Sequence, residues 1–129
     1  MTENPPVTEM PSLMRLATGA AKHAATRQTT IATNVANADT PGFRARDVAA
    51  FAPDAYRLPL RRSRAAHMAG APDQVEARIL RDVRADPNGN TVSLEDQVLR
   101  GVEASRAHGR AVTIYSASLD LLRASLGRR

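Results

Sequence analysis

Thr30-Ile31-Ala32-Thr33-Asn34-Val35-Ala36-Asn37-Ala38-Asp39-Thr40-Pro41-Gly42-Phe43 decides the fold, because an amphipathic helix runs into an enforced stop there. Upstream and within it, apolar residues recur at Leu13, Leu16, Ala20, Ala24, Ile31, Val35 and Ala38, mostly three or four apart. That is helical spacing. Asn37 is placed to end the helix in the left-handed conformation. Thr40 precedes a proline and is pushed out of the helical region. Pro41-Gly42 suits the central positions of a type II turn, with proline fixing φ and glycine accepting φ > 0. The stretch carries two asparagines and a turn, and no nucleophile, base or metal cluster. It reads as an architectural joint.

Working outward, residues 1–11 form a polar, proline-containing lead and residues 12–38 the first helix, with Ser12 as its N-cap. Residues 39–92 are a mixed middle segment broken by Pro53, Pro59 and Pro72. Arg44 to Phe51 reads as a short helical or extended piece. Gln74 to Arg84 alternates Val75, Ala77, Ile79 and Val83, which predicts a short strand. Asp86-Pro87-Asn88-Gly89-Asn90 is a turn, serving a hairpin or a polar hinge.

Residues 93–129 form the second long helix, with Ser93 as N-cap and Glu95 and Asp96 at the positive end of its dipole. A seam can be written through Leu94, Val98, Val102, Ser105, Gly109, Val112, Tyr115, Leu119, Leu122 and Leu126. Steps of three and four imply a coiled-coil-like face. The expected fold is mainly α: two long terminal helices packed as a pair, with an irregular middle that holds a short strand or hairpin.

Composition limits the core. Only 3% of the 129 residues are aromatic, and much of the 43% hydrophobic content is alanine, which buries little area per residue. Two helices so built form a marginal core, which points to completion by other chains. The net charge is +5, and arginine supplies all but one of the basic residues. Interleaved acids make a solvated, salt-bridged surface the plainer reading. The run Arg61-Arg62-Ser63-Arg64 supports a competing one, a small basic helical protein that binds nucleic acid. Four Phe and Tyr residues are a poor supply of stacking platforms for single strands.

The absence of cysteine removes disulfides and thiolate chemistry. His23, His67 and His108 lack the spacing of paired metal ligands, and the carboxylates are scattered. There is no phosphate-binding loop, dinucleotide fingerprint or nucleophile elbow. No enzyme activity, cofactor, metal or small-molecule substrate is expected. The N-terminus shows no cleavable signal, and no apolar run approaches the ~20 residues that span a bilayer.

With both ends placed, the chain resembles the flagellar basal body rod protein family, and most closely its proximal-rod branch. The resemblance is carried by Ile31 to Asp47, in which an asparagine-rich helix end runs into Thr40-Pro41-Gly42 and Phe43, followed by Ala45-Arg46-Asp47. A second motif, Gly89-Asn90-Thr91-Val92-Ser93-Leu94-Glu95, is similar to the one that opens the family's C-terminal helix. Ser93 stands where aspartate is usual; both residues cap helices.

The resemblance implies a structural subunit that polymerises through its terminal helices into the rod of the motor drive shaft. It implies export through the flagellar type III apparatus without a cleaved signal, and a place in the periplasmic part of the basal body. The implied partners are other rod subunits, copies of the chain itself, FliE and the membrane-ring end of the basal body. The implied structural residues are Asn34, Asn37, Asp39, Thr40, Pro41, Gly42, Phe43, Gly89, Asn90, Thr91 and Val92. Helix packing is expected at Leu16, Ile31, Val35, Val98, Val102, Val112, Leu119 and Leu122. Asn34 and Asn37 either hydrogen-bond across helices or merely terminate the first one.

Overall fold

The computed structural model describes residues 12–53 and 75–127. Four elements follow in order: α1 (Ser12–Ala36), β1 (Arg46–Val48), β2 (Ala77–Ile79) and α2 (Leu94–Ser125). The protein is mainly helical, and its two long helices pack against each other. Asn34 meets Gln97, Ile31 lies beside Gly101, and Arg27 reaches Glu103. Rising numbers in α1 thus meet falling numbers in α2, so the pair is antiparallel. β1 and β2 pair antiparallel, with Arg46 opposite Ile79 and Val48 opposite Ala77.

Local chemistry accounts for both helices. Thr26, Thr29, Thr30 and Thr33 each donate their hydroxyl to the carbonyl four residues earlier, at 2.9–3.1 Å. These back-bonds satisfy the hydroxyls of a threonine-rich segment within the helix itself. At the start of α2, Ser93 is extended and its side chain accepts from the Asp96 amide, as an N-cap does. At its end Gly127 has φ +78°, the left-handed residue that closes many helices.

The interhelical face differs from the seam suggested by the large apolar residues. α2 buries Gln97, Ala104, Ala111 and Ser118, a strict repeat of seven, and α1 buries Ala17, Ala24 and Ile31 on the same repeat. A repeat of seven keeps one seam facing the partner helix. Small side chains, Ala17, Ala24, Ala104, Ala111 and Ser118, make up most of the seam, with Ile31 and Gln97 toward the start of α2. Val35, Val98, Val102, Val112 and Leu122 are instead exposed in the single chain, while Leu16 and Leu119 are half-buried. Only Ile31 of the expected packing residues is fully buried. Helical periodicity identifies an apolar stripe without saying whether the stripe meets its own chain or another.

Two local expectations are also corrected. α1 ends at Ala36, before Asn37 and Ala38. Asn37 is not left-handed, since Asp82 is the one described non-glycine residue with positive φ. The short strand expected within residues 74–84 is present as Ala77–Ile79. The arginine run at 61–64, His67, and Pro59 and Pro72 lie outside the described residues.

Candidate assembly joint

The residues of the two sequence motifs form one hydrogen-bonded joint at the end of α1. α1 has no basic residue in its last turn to offset its terminal carbonyls. Asn37 tightens that turn, its backbone amide reaching both Thr33 and Asn34 carbonyls and its Nδ2 donating to the Thr33 carbonyl at 2.8 Å. Thr40 donates its hydroxyl to the Asn37 Oδ1 at 3.2 Å. The chain then turns through Pro41 and Gly42. Gly42 has φ +72°, and the Phe43 amide donates to the Thr40 carbonyl at 3.2 Å, which is the type II pattern. Asp39, Thr40, Pro41 and Gly42 are exposed, and Phe43 is half-buried.

Asn90, from the second motif, fills the mouth of this turn. Its Nδ2 lies 2.8–2.9 Å from the carbonyls of Asn37, Ala38 and Thr40, and its Oδ1 accepts from the Val92 amide at 2.7 Å. It is 1% exposed, so its own amide group is satisfied by these carbonyls and the Val92 amide in place of water. The flanking residues add backbone pairing. The Gly42 amide donates to the Asn88 carbonyl, the Thr91 amide donates to the Phe43 carbonyl, and the Ala45 amide donates to the Thr91 hydroxyl. Val92 is buried beside them. Gly89 has φ +81°, and a Cβ there would stand 3.4 Å from the Gly42 Cα. Glycine is therefore favoured there by conformation, while an added Cβ would only reach ordinary contact with the other motif.

Asn34 serves the neighbouring layer. Its Nδ2 donates to the Arg46 carbonyl at 2.7 Å and to the Gln97 Oε1 at 2.8 Å, while its Oδ1 accepts from the Arg46 amide at 3.0 Å. A single amide thus pairs with β1 as a strand neighbour would and ties it to α2. The two asparagines divide the roles open to them: Asn34 bonds across helices and Asn37 terminates one.

One charged group was not legible as part of the joint. Asp47 on β1 accepts from Arg27 of α1 at 3.0 and 3.2 Å and from Arg100 of α2, and its Oδ1 also accepts from the Val48 amide. Arg100 in turn holds Asp96 at 2.7 Å. Burial pushes the Asp47 carboxyl up, but the bonds from Arg27, the Val48 amide and Arg100 outweigh it and hold its pKa below the usual value. Burial lowers the pKa of Arg100, and its bonds to Asp96 and Asp47 more than restore it, so the guanidinium stays charged. Arg27, Gln97 and Arg100 were missed because a charged or amide side chain at helical spacing looks like a solvated face. The useful signal was Gln97 at the head of the repeat through Ala104 and Ala111.

This arrangement holds elements together. His23 donates from Nε2 to the Ala49 carbonyl at 2.6 Å and stacks edge-on against Phe51, with ring centroids 5.4 Å apart. The groove beside it, about 330 Å³, is lined by apolar side chains such as Leu16, Ala20 and Ile114, with Arg110 at its edge and no carboxylate. Among the described residues no three histidines or carboxylates gather as metal ligands. Among them too, no helix is long and apolar enough to cross a membrane.

The chain matches none of the curated proteins it was compared with. Residues 14–44, which comprise most of α1, its terminating turn and the residues that receive Asn90, match the family described as Flagella basal body rod protein. That match supports a flagellar basal body rod family protein with a structural role.

Proposed function

We propose that the chain is a subunit of the proximal rod, of the FlgB kind, and that it polymerises through its terminal helices into the motor drive shaft. The observation that carries this is the interlock of the two motifs. The matched segment ends in a turn whose carbonyls are filled by Asn90, from the motif that opens α2. The joint fixes the angle at which the middle segment leaves the helix pair. The apolar flank of α2 left open in the single chain, with Val98 and Leu99 both 63% exposed, supports burial against neighbours. Under this reading Val35, Val98, Val102, Val112 and Leu122 pack between subunits, and ordering of about 1–2 kcal/mol per backbone residue is offset by that burial.

The partners are then copies of the chain, other rod subunits, FliE and the membrane-ring end of the basal body. Delivery is through the flagellar type III apparatus into the periplasm. The sibling FlgC is the second reading, favoured by Val102-Glu103-Ala104-Ser105-Arg106-Ala107 in α2.

Locating the chain in isolated basal bodies separates these readings. FlgB identity requires it at the membrane-ring end of the rod, FlgC identity places it farther out, and absence from the rod rejects both. The variant Gly42→Val tests the joint. Nothing lies within 4 Å of the added Cβ, so its effect comes from a φ of +72° that valine resists by roughly 1–2 kcal/mol. The exported variant should fail to enter the rod, and normal motility would sink the role given to this turn.

A further inference from the structure

We propose that Asn88 is a site of intramolecular deamidation, restrained while the joint is closed and reactive when it opens. In this reaction the backbone nitrogen of Gly89 bonds to Asn88 Cγ and the Cγ–Nδ2 bond breaks. The Gly89 amide proton leaves with the side-chain nitrogen as ammonia, and a succinimide remains. Water then opens one of its two carbonyls, giving aspartate or isoaspartate at position 88. No oxidant, metal or other co-reactant takes part. Glycine after the asparagine leaves the attacking nitrogen unhindered, and here the fold favours glycine, since Gly89 has φ +81°.

The closed joint restrains both reacting atoms. The Gly89 amide donates to the Asp86 carbonyl at 2.8 Å, and the Asp86 amide donates to the Asn90 carbonyl at 2.8 Å. With Pro87 and Asn88 central and Gly89 left-handed, this is a type I turn followed by a bulge. The Gly89 nitrogen is therefore committed to the turn. Asn88 Oδ1 accepts from the Asn90 amide at 3.0 Å, which holds the side chain toward Asn90. The Asn88 carbonyl accepts from the Gly42 amide at 3.0 Å, tying the backbone to the other motif. Attack requires the turn to open, and opening separates the two motifs.

The isoaspartate product also fails to reclose the joint. Isoaspartate carries the main chain through Cβ and Cγ, adding a methylene between positions 88 and 89. The bonds to Gly42 and Asn90 then lose their common geometry. Asn88 thus marks irreversibly how long a subunit has spent with its joint open. This inference stands on the turn geometry and does not require the rod reading.

The test uses the full chain in two states at one mildly alkaline pH: folded, in trimethylamine oxide with helix verified by circular dichroism, and unfolded in guanidinium chloride. The tryptic fragment 85–100 is followed for the mass change of an amide-to-acid exchange, with fragment ions separating Asn88 from Asn90. Isoaspartyl methylation gives a second readout. Because the folded chain reacts only through local opening, its rate should be at least about tenfold below that of the unfolded chain. Asn90→Ala, or Thr91→Ala should that variant not fold, removes joint bonds without touching the reacting pair and should react at an intermediate rate. Equal rates in the folded and unfolded chain, or reaction at Asn90 in place of Asn88, would overturn the proposal.

Discussion

The Nδ2 of Asn34 donates to the Oε1 of Gln97 at 2.8 Å, where α1, β1 and α2 meet. Both side chains are 1% exposed. Removing the asparagine takes a partner from the part-buried Arg46 amide and carbonyl and from the buried Gln97 oxygen. Unsatisfied buried groups cost about 1–3 kcal/mol each before relaxation, so Asn34→Ala should cost about 2–4 kcal/mol in all. Gln97→Ala strands only the shared bond and should cost less, about 1–2 kcal/mol. Urea unfolding of both single variants and the double variant measures their coupling, expected near 1 kcal/mol. Strict additivity would show that the two amides act independently.

Asp47 gives the joint a pH dependence. Its carboxyl has a lower pKa folded than unfolded, against the push of burial, because Arg27, the Val48 amide and Arg100 bind the anion. A depressed pKa contributes stability above the unfolded value, about 3.9 for aspartate, and that contribution is lost as pH falls through the folded value. Asp47→Asn should therefore destabilise the chain by about 1–2 kcal/mol near neutrality. The difference from the native chain should shrink as pH drops below the ordinary carboxylate range. Urea unfolding at neutral and acidic pH checks this. A gap that stays constant with pH would show that the loss is one of shape.

How much was legible in the sequence follows from the range of each interaction. The turn at Pro41-Gly42 and the cap at Ser93 are local, and their residues announce them. Asn90 announced itself as part of a turn, but its contact with the Asn37, Ala38 and Thr40 carbonyls spans at least 50 residues and has no periodic signature. The Asp47 cluster was hidden for the same reason. Arg27, Asp47 and Arg100 sit on three different elements, and each alone resembles a surface charge. The helix seam was misplaced for another reason. Valine and leucine outweigh alanine in any hydrophobic pattern, yet alanine makes up most of the buried seam.

The two faces of α2 make opposite predictions. Ala104 is 1% exposed at the interhelical seam. Ala104→Leu forces extra methylenes into that contact and should cost about 1–3 kcal/mol, read by urea unfolding. Val102, two residues earlier, is 46% exposed on the other stripe. Val102→Ser there should change the stability of the single chain by no more than about 0.5 kcal/mol, as surface substitutions away from special features do. If the stripe is an intersubunit face, the same variant should still lower incorporation into the rod. A stability loss from Val102→Ser as large as that from Ala104→Leu would show that α2 packs on α1 through its large apolar residues after all.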